Sequence, residues 1–475
     1  MNATGGPDWA CLALEAVMER VAVTEAAVGD RFPLYAEPAD GRWKTTGNGS
    51  WAGGFWAGLL WLRARYTGSA SDHRAASLRT ARLAPWAEAD TATRGLILWY
   101  GTSLAQGDPD AAALRARAAR ACLSSFDPAL GIVPWGAAFG GPRLVARADG
   151  VPGTVPLLAG AGPAGAAAAA AHLHRHLDLC VGAGAGADGI GSRAGAGGSA
   201  VHGGPAEGEG AGDGVGVGTP GGGRASGGRG ARAAAAGPTG RAPDPRSPAW
   251  SFDGAAGWRP CADPEPGWSR GDAWLLLAVA DALLIPDVAA HHPARLEATA
   301  TLLSPPPPKA PTPPGAPTPP CPPGPAELPG VPGLTEAPGV PGRPGSTGMH
   351  GPPGASGVPG PLAVLGRLVP PALAGWPGGP LDTSAAAITA VALLKLARLP
   401  GPRAAWYAYR AEEILGHLVR EHVTGPGPGR PAGMLLDGCY DAGRDLAVRH
   451  ELIWGDFFLA LGLAALCGLV DLTHV

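Results

Sequence analysis

Apolar residues recur at helical spacing through most of the chain, and the alternation typical of half-buried strands is almost absent. The segment "LDTSAAAITAVALLKLA" illustrates the pattern, because Asp382 or Thr383 can cap it and Ala, Ile and Leu follow at helical intervals. The pattern predicts an all-α protein. The predicted helices span 8–28, 51–66, 72–88, 92–105, 110–124, 154–162, 165–180, 270–284, 287–303, 382–397, 403–422 and 452–470.

Two segments interrupt this pattern. Residues 182–247 are rich in Gly, Ala and Arg, and residues 304–360 are rich in Pro, with glycine at every third position from Gly339 to Gly360. The second segment therefore resembles collagen, although a short and interrupted tract favours a polyproline-like linker over a triple helix. Neither segment can bury a core, so we predict two disordered insertions. They divide one helical domain into a first part (1–181), a middle part (248–303) and a last part (361–475).

The helices are rich in alanine and are joined by glycine-rich loops. Small side chains allow close helix packing, and twelve such helices favour pairs arranged in a ring, an α/α barrel. A solenoid of helix pairs is the alternative architecture, but no repeat period is visible in the sequence.

Charge and composition exclude several classes of function. The formal net charge is −3 and no basic block is present, which argues against nucleic-acid and anionic-membrane partners. No signal peptide or membrane span is evident. Seven scattered cysteines fit reduced thiols better than a disulfide framework, so a cytoplasmic location is expected. The oligomeric state stays open.

Tryptophan is unusually frequent, with 15 residues against 6 tyrosines and 7 phenylalanines. Such an excess is typical either of sugar-stacking sites or of an aromatic core. In "NGSWAGGFWAGLLW" three indoles stand five residues apart, a step of about 140° on a helix. They therefore point in different directions, so the three indoles cannot all face one side of the helix.

Arg270 in "GWSRGDAW" precedes an apolar helix and stands between Trp268 and Trp274. A guanidinium in this position can bind a carboxylate through two hydrogen bonds while the indoles stack on a sugar ring. The alternative is an ordinary Arg–Asp cap, with Asp272, beside buried tryptophans.

Other motifs indicate no metal or cofactor. His172 and His176 lie four residues apart, but no third ligand and no adjacent glutamate complete a zinc motif. The "GAGADG" stretch has dinucleotide-site spacing but no helix opens from it. Asp456 is interpreted as the N-terminal cap of the last helix.

Four ordered segments resemble the unsaturated glucuronyl hydrolases, with the unsaturated rhamnogalacturonyl hydrolases as a more distant match. They are "GSWAGGFWAGLLWLRARYTG", "GWSRGDAW", "PLDTSAAAITAVALLKL" and "ELIWGDFFLALGLAAL". The resemblance implies an (α/α)6 six-hairpin barrel with its site at one mouth. It also implies hydration of the C4–C5 double bond in the terminal uronic acid of oligosaccharides left by polysaccharide lyases, without metal or cofactor.

The resemblance carries over residue by residue to the binding site more completely than to the catalytic acids. It assigns ring stacking to Trp51 and Trp135, uronate binding to Arg270, and further substrate contacts to Trp268, Trp274 and Tyr440. With Trp51 facing the ligand, Trp56 and Trp61 are predicted to fill the core. The family's general acid lies six residues before a Pro-Leu-Leu; here Gly150 occupies that position. Asp149, one residue earlier, is therefore the candidate general acid/base.

A second family carboxylate is replaced in this sequence. Thr93 stands at its position, and the nearest acid is Asp90, which is the second catalytic candidate. The leading hypothesis is thus a hydrolase of unsaturated uronyl oligosaccharides. A catalytically inactive relative that binds acidic sugars or a protein partner is the alternative, and an extended structural protein is a third hypothesis based only on the collagen-like tract.

Overall fold

Helices dominate the described part of the chain, which in this computed structural model comprises residues 6–182, 246–306 and 367–475. The prediction of a mainly helical chain is confirmed. The helices are α1 Asp8–Val28, α2 Gly53–Thr67, α3 Ala70–Ala81, α4 Tyr100–Thr102, α5 Pro109–Ser124, α6 Thr154–Ala159, α7 Pro163–Cys180, α8 Ser269–Leu284, α9 Pro286–Ala289, α10 Pro293–Leu303, α11 Thr383–Leu396, α12 Ala404–Glu421 and α13 Ile453–Leu466.

Three predicted helices are interrupted. The helix predicted over 72–88 ends as α3 at Ala81, and a separate 3₁₀ turn, Ala84–Ala87, follows. The helix predicted over 287–303 breaks between α9 and α10, where His292 has a positive φ of 59° and Pro293 starts the new helix. The helix predicted over 92–105 is a π-helical segment, Gly95–Trp99, that continues into α4. Gly95 allows α6 to approach, since a Cβ there would lie 2.1 Å from the backbone nitrogen of Thr154.

Two small antiparallel sheets among the described residues correct the expectation of an almost strand-free chain. One sheet has the order β2-β1-β7-β6 and the other the order β3-β4-β5. The strands are only 3 to 7 residues long, too short for their alternation to stand out in the sequence. They are β1 Phe32–Ala36, β2 Trp43–Thr46, β3 Val145–Arg147, β4 Ala249–Asp253, β5 Gly257–Pro260, β6 Gly438–Asp441 and β7 Leu446–Leu452.

The helices fall into an inner and an outer group. Every residue of α13 from Ile453 to Ala464 is buried, as is most of α8 and α11, whereas α12 buries one face only. Helices that are apolar all round lie inside a fold, and amphipathic helices cover it. The inner elements contact one another in a closed cycle of α2, the π-helical segment, α6, α8, α11 and α13.

An aromatic core fills the centre of this cycle. Phe55 of α2 lies 5.4 Å from Tyr100, 5.6 Å from Phe458 and 6.2 Å from Trp274, measured between ring centroids. Trp56 and Trp61 belong to the same hydrophobic core. Trp56 is 0% exposed and Trp61 is 3% exposed, so the prediction that these two indoles are core residues is confirmed.

Asp456 is not the cap that the sequence suggested. The residue before α13 is Leu452, which provides no side-chain cap, and Asp456 lies inside the first turn. Its carboxyl instead lies near that of Glu451, and burial and the charge of Glu451 raise the pKa of Asp456. Arg20 of α1 holds Glu451 through two hydrogen bonds. Asp382, in contrast, caps α11 as predicted, accepting from the backbone N–H groups of Ser384 and Ala385.

The expectation of reduced cysteines is wrong for one pair. Cys11 of α1 forms a disulfide with Cys467, the residue that follows α13. The bond joins the first and last long helices, which also pack against each other. The sequence could not reveal it, because 456 positions separate the two thiols.

The two predicted insertions fall largely outside the described residues, as does the "GAGADG" stretch. Within the described ranges, none of the helices combines the length and the apolar character that a membrane crossing requires.

Candidate active site

A cavity of about 580 Å³ opens at one end of the inner helices. Several of its lining residues lie within five positions before an inner element: Trp51 before α2, Thr93 before the π-helical segment, Asp149 before α6 and Trp268 before α8. The cavity therefore faces the N-terminal ends of these elements, whose free N–H groups and dipoles favour negative charge.

Aromatic side chains form much of the cavity wall, and they include all five aromatic residues predicted from the sequence: Trp51, Trp135, Trp268, Trp274 and Tyr440. The indole nitrogen of Trp51 donates to the Tyr440 hydroxyl over 3.1 Å, which fixes the two rings edge to face. Burial raises the pKa of Tyr440 above its usual value, so its hydroxyl stays neutral. Trp274 is only 1% exposed and packs on Phe55, so it forms the floor of the cavity.

Arg270 lines the cavity, but its guanidinium is already engaged. Nη1 donates to Asp382 over 2.6 Å and to the Cys439 carbonyl over 2.7 Å, and Nη2 donates to the Tyr440 carbonyl over 2.9 Å. Arg270 is 4% exposed and Asp382 is 0% exposed, so the pair is a buried ion pair. It connects α8, α11 and β6, which holds the Tyr440 strand against the inner helices.

Asp149 also lines the cavity and is paired with Arg147. Nε of Arg147 donates to Oδ1 of Asp149 over 3.0 Å and Nη2 donates to Oδ2 over 3.2 Å. The guanidinium lies 4.4 Å from the centroid of the Trp135 ring. Although burial alone lowers the pKa of Arg147, the charge and hydrogen bonds of Asp149 raise it above its usual value.

A buried histidine supports the turn that carries Asp149. Nδ1 of His172 accepts from the backbone N–H of Val133 over 3.0 Å, and Nε2 lies 3.3 Å from the Gly150 carbonyl, to which it donates. Burial holds the pKa of His172 well below its usual value, so the ring is neutral. Both ring nitrogens are used in bracing the backbone, and the described residues include no group of three or more potential metal ligands.

The two positions related to the second carboxylate are separated in the structure. Thr93 is buried and lines the cavity, where its hydroxyl lies 2.9 Å from that of Thr91. Asp90 does not line the cavity. Its carboxylate accepts from the backbone N–H of Ala137 over 3.1 Å and from Arg143 over 3.0 Å. Asp90 therefore holds the loop between Trp135 and β3, and a catalytic role for it stays a prediction.

Several cavity residues were not singled out from the sequence. They are Arg147, Phe139, and an ionic group at the rim in which Arg444 pairs with Asp263 and Asp441 beside Glu265. Of these residues, only Arg147 could have been predicted from the sequence. In "VARADG" it stands two positions before Asp149, a spacing that places two side chains on one side of an extended chain. The other residues lie in loops without periodicity.

The structure is similar to several solved structures of unsaturated glucuronyl hydrolases. The enzyme from Bacillus sp. GL1, described as responsible for glycosaminoglycan degradation, is 16% identical with a TM-score of 0.62, covering 96% of each chain. The Streptococcus agalactiae enzyme is 14% identical with a TM-score of 0.61, covering 98% of this chain and 93% of its own. A third enzyme, described as specific for heparin, is 14% identical with a TM-score of 0.60, covering 98% of this chain and 100% of its own.

Sequence comparisons add nothing to this similarity. No protein-family model matches the chain, and no curated protein matches it. Identities of 14–16% establish the fold alone. The resemblance that four short sequence segments suggested is therefore confirmed at that level: this chain has the fold of the unsaturated glucuronyl hydrolases.

Proposed function

We propose that the protein is a six-hairpin α/α barrel enzyme that hydrates the C4–C5 double bond of unsaturated uronyl oligosaccharides. The closed cycle of contacts among the inner helices supports the barrel. The observation that carries the function is the position of Asp149 in one cavity with Trp51, Trp135, Trp268 and Tyr440. A carboxyl group among aromatic faces suits an acid-catalysed reaction on a sugar ring.

The proposed reaction needs a single carboxyl group as acid and base. Protonated Asp149 gives its proton to C4 of the vinyl ether, and positive charge develops at C5. Water adds to C5 while its proton passes to the Asp149 carboxylate, which restores the acid. The resulting hemiketal opens and releases the remainder of the oligosaccharide. Two positions favour this assignment: Asp149 lies at the cavity, whereas Asp90 is engaged with Arg143 outside it.

The test uses the ultraviolet absorbance of the conjugated double bond, which hydration removes. Purified protein is mixed with unsaturated disaccharides that lyases release from chondroitin or hyaluronan, and the absorbance is followed. We expect Asp149→Asn to lower the rate by roughly 10²–10⁴-fold, the usual contribution of general acid–base catalysis. Asp178→Asn is the matched control, because this carboxylate is 40% exposed and pairs with Arg295 away from the cavity.

A catalytically inactive sugar-binding protein is the second candidate. Thr93 favours it, because this buried cavity residue stands where the resemblance places a second carboxylate. The same disaccharides separate the two candidates. Binding without any loss of absorbance would favour the inactive relative. Absence of both binding and absorbance loss would contradict both proposals for these substrates.

A further inference from the structure

We propose that Arg147 binds the uronate carboxylate and that Asp149 is the group it releases in exchange. The inference rests on the proposed function and assigns a binding residue that the sequence did not suggest. In the free protein Arg147 and Asp149 are partners through two hydrogen bonds. A bound uronate would take the place of Asp149 on the guanidinium.

The other two arginines of the cavity are less suited to this task. Arg270 donates to Asp382 and to two backbone carbonyls, and removing it from these buried acceptors would leave them unpaired. Arg444 lies on the exposed rim, where it pairs with both Asp263 and Asp441. An exposed guanidinium discriminates weakly, because water and salt screen its charge.

Arg147 has the required exposure and fixed position. Its side chain is 21% exposed within the cavity wall, and the Trp135 ring supports its guanidinium. Among the described residues it donates hydrogen bonds only to Asp149, so Nη1 is available to a ligand. Two N–H groups presented side by side match a carboxylate, and a ligand carboxylate can form the pair that Asp149 now forms.

The exchange would also prepare Asp149 for catalysis. Both of its oxygens now accept hydrogen bonds from N–H donors, and a carboxyl oxygen that carries a proton cannot accept along the same direction. When the substrate carboxylate replaces Asp149, these oxygens are released. One of them can then take a proton from solvent, and this proton is later given to the double bond. Substrate binding thus also frees Asp149 to act as the acid.

The first test compares an acid ligand with its ester. Binding of the unsaturated hyaluronan disaccharide and of its uronate methyl ester is measured by tryptophan fluorescence, since Arg147 contacts Trp135. We expect wild-type protein to prefer the acid by about tenfold or more, the range of charge-assisted pairs. Arg147→Met keeps the aliphatic stem and should bind both ligands equally. Arg143→Met, which removes an arginine paired with Asp90 outside the cavity, should keep the preference.

The second test removes the competing carboxylate. Asp149→Asn should bind the acid disaccharide several-fold more tightly than wild type and the ester about equally. This variant keeps the proposal testable if Arg147→Met does not fold. Retained acid preference in Arg147→Met, or unchanged or weaker acid binding by Asp149→Asn, would overturn the exchange while leaving the proposed function standing. Absence of binding and hydration in the wild-type protein would overturn the proposed function, and this inference with it.

Discussion

Burial changes the protonation of single side chains in this protein, as Asp456 shows. Its pKa is raised well above the usual value, first by burial and then by the charge of Glu451. Arg20 pairs with Glu451 through two hydrogen bonds. Two buried carboxyl groups beside one guanidinium are compatible with folding when one of them keeps its proton.

This arrangement predicts how stability changes with pH. The folded pKa of Asp456 is above its unfolded value, so its contribution is complete below the unfolded pKa and is lost as pH rises towards the folded pKa. The free energy of unfolding should therefore fall with rising pH above about 4 more steeply in wild type than in Asp456→Asn. One proton accounts for at most about 1.4 kcal/mol per pH unit.

Urea denaturation at a series of pH values measures this difference. The control is Glu412→Gln, which removes an exposed carboxylate from α12 and should leave the pH dependence of wild type intact. Equal slopes for wild type and Asp456→Asn would show that Asp456 does not hold the extra proton.

A buried ion pair also joins two of the inner helices. Lys395 of α11 is 2% exposed and lies 2.5 Å from a carboxylate oxygen of Asp281 on α8, which is 3% exposed. Lys395→Met leaves the Asp281 carboxylate buried without its partner and should lower the free energy of unfolding by about 3–5 kcal/mol. The double variant Lys395→Met/Asp281→Leu should recover much of this loss, because neither charge of the pair then stays buried, although the Val475 carbonyl still lacks its donor from Lys395.

An exposed ion pair, formed by a residue that follows α11, provides the comparison. Arg398 and Asp471 are 58% and 48% exposed and 3.6 Å apart. Arg398→Met should therefore change the free energy of unfolding by no more than about 1 kcal/mol. Chemical denaturation of the four proteins gives the result. Equal losses from Lys395→Met and Arg398→Met would refute a special role for the buried pair.

Elements with a long apolar period could be predicted from the sequence, and short or interrupted ones could not. The predicted helices 8–28, 110–124 and 403–422 agree with α1, α5 and α12 to within one or two residues. The strands were missed because their pairing depends on contacts between distant segments, such as β1 with β7. Local pattern carries no signal for such contacts.

The residues of the candidate site also divide into those that the sequence could predict and those that it could not. Trp51, Trp268 and Arg270 lie in short motifs that a resemblance can match, and the structure places all three at the cavity. The partners of Arg270 are Asp382 and two carbonyls about 112 to 170 positions away, which no local motif contains. The sequence therefore identified some of the cavity residues, but not Arg147, and not that Arg270 is already paired with buried acceptors.

At the scale of the whole molecule, closure of the helical cycle brings the two ends of the described chain together. α1 packs against α13, and the disulfide between Cys11 and Cys467 fastens them. A cross-link between positions so distant along the chain restricts the unfolded state strongly, since the entropy of loop closure grows with the length of the loop. The bond should therefore stabilise the whole fold and not only the helix that carries Cys11.

The disulfide predicts both a thiol count and a loss of stability. Protein denatured without reductant should react with two fewer equivalents of an alkylating reagent than reduced protein, because the Cys11–Cys467 bond occupies two thiols. Cys11→Ala should lower the free energy of unfolding under non-reducing conditions by about 2–5 kcal/mol, the usual value for a native disulfide. Adding reductant should remove the difference between wild type and variant, because both then lack the bond. Cys261→Ala, which removes a free thiol and keeps the disulfide, is the control and should lose as much stability on reduction as wild type. Equal thiol counts with and without reductant would contradict the cross-link, and packing alone would then hold α1 against α13.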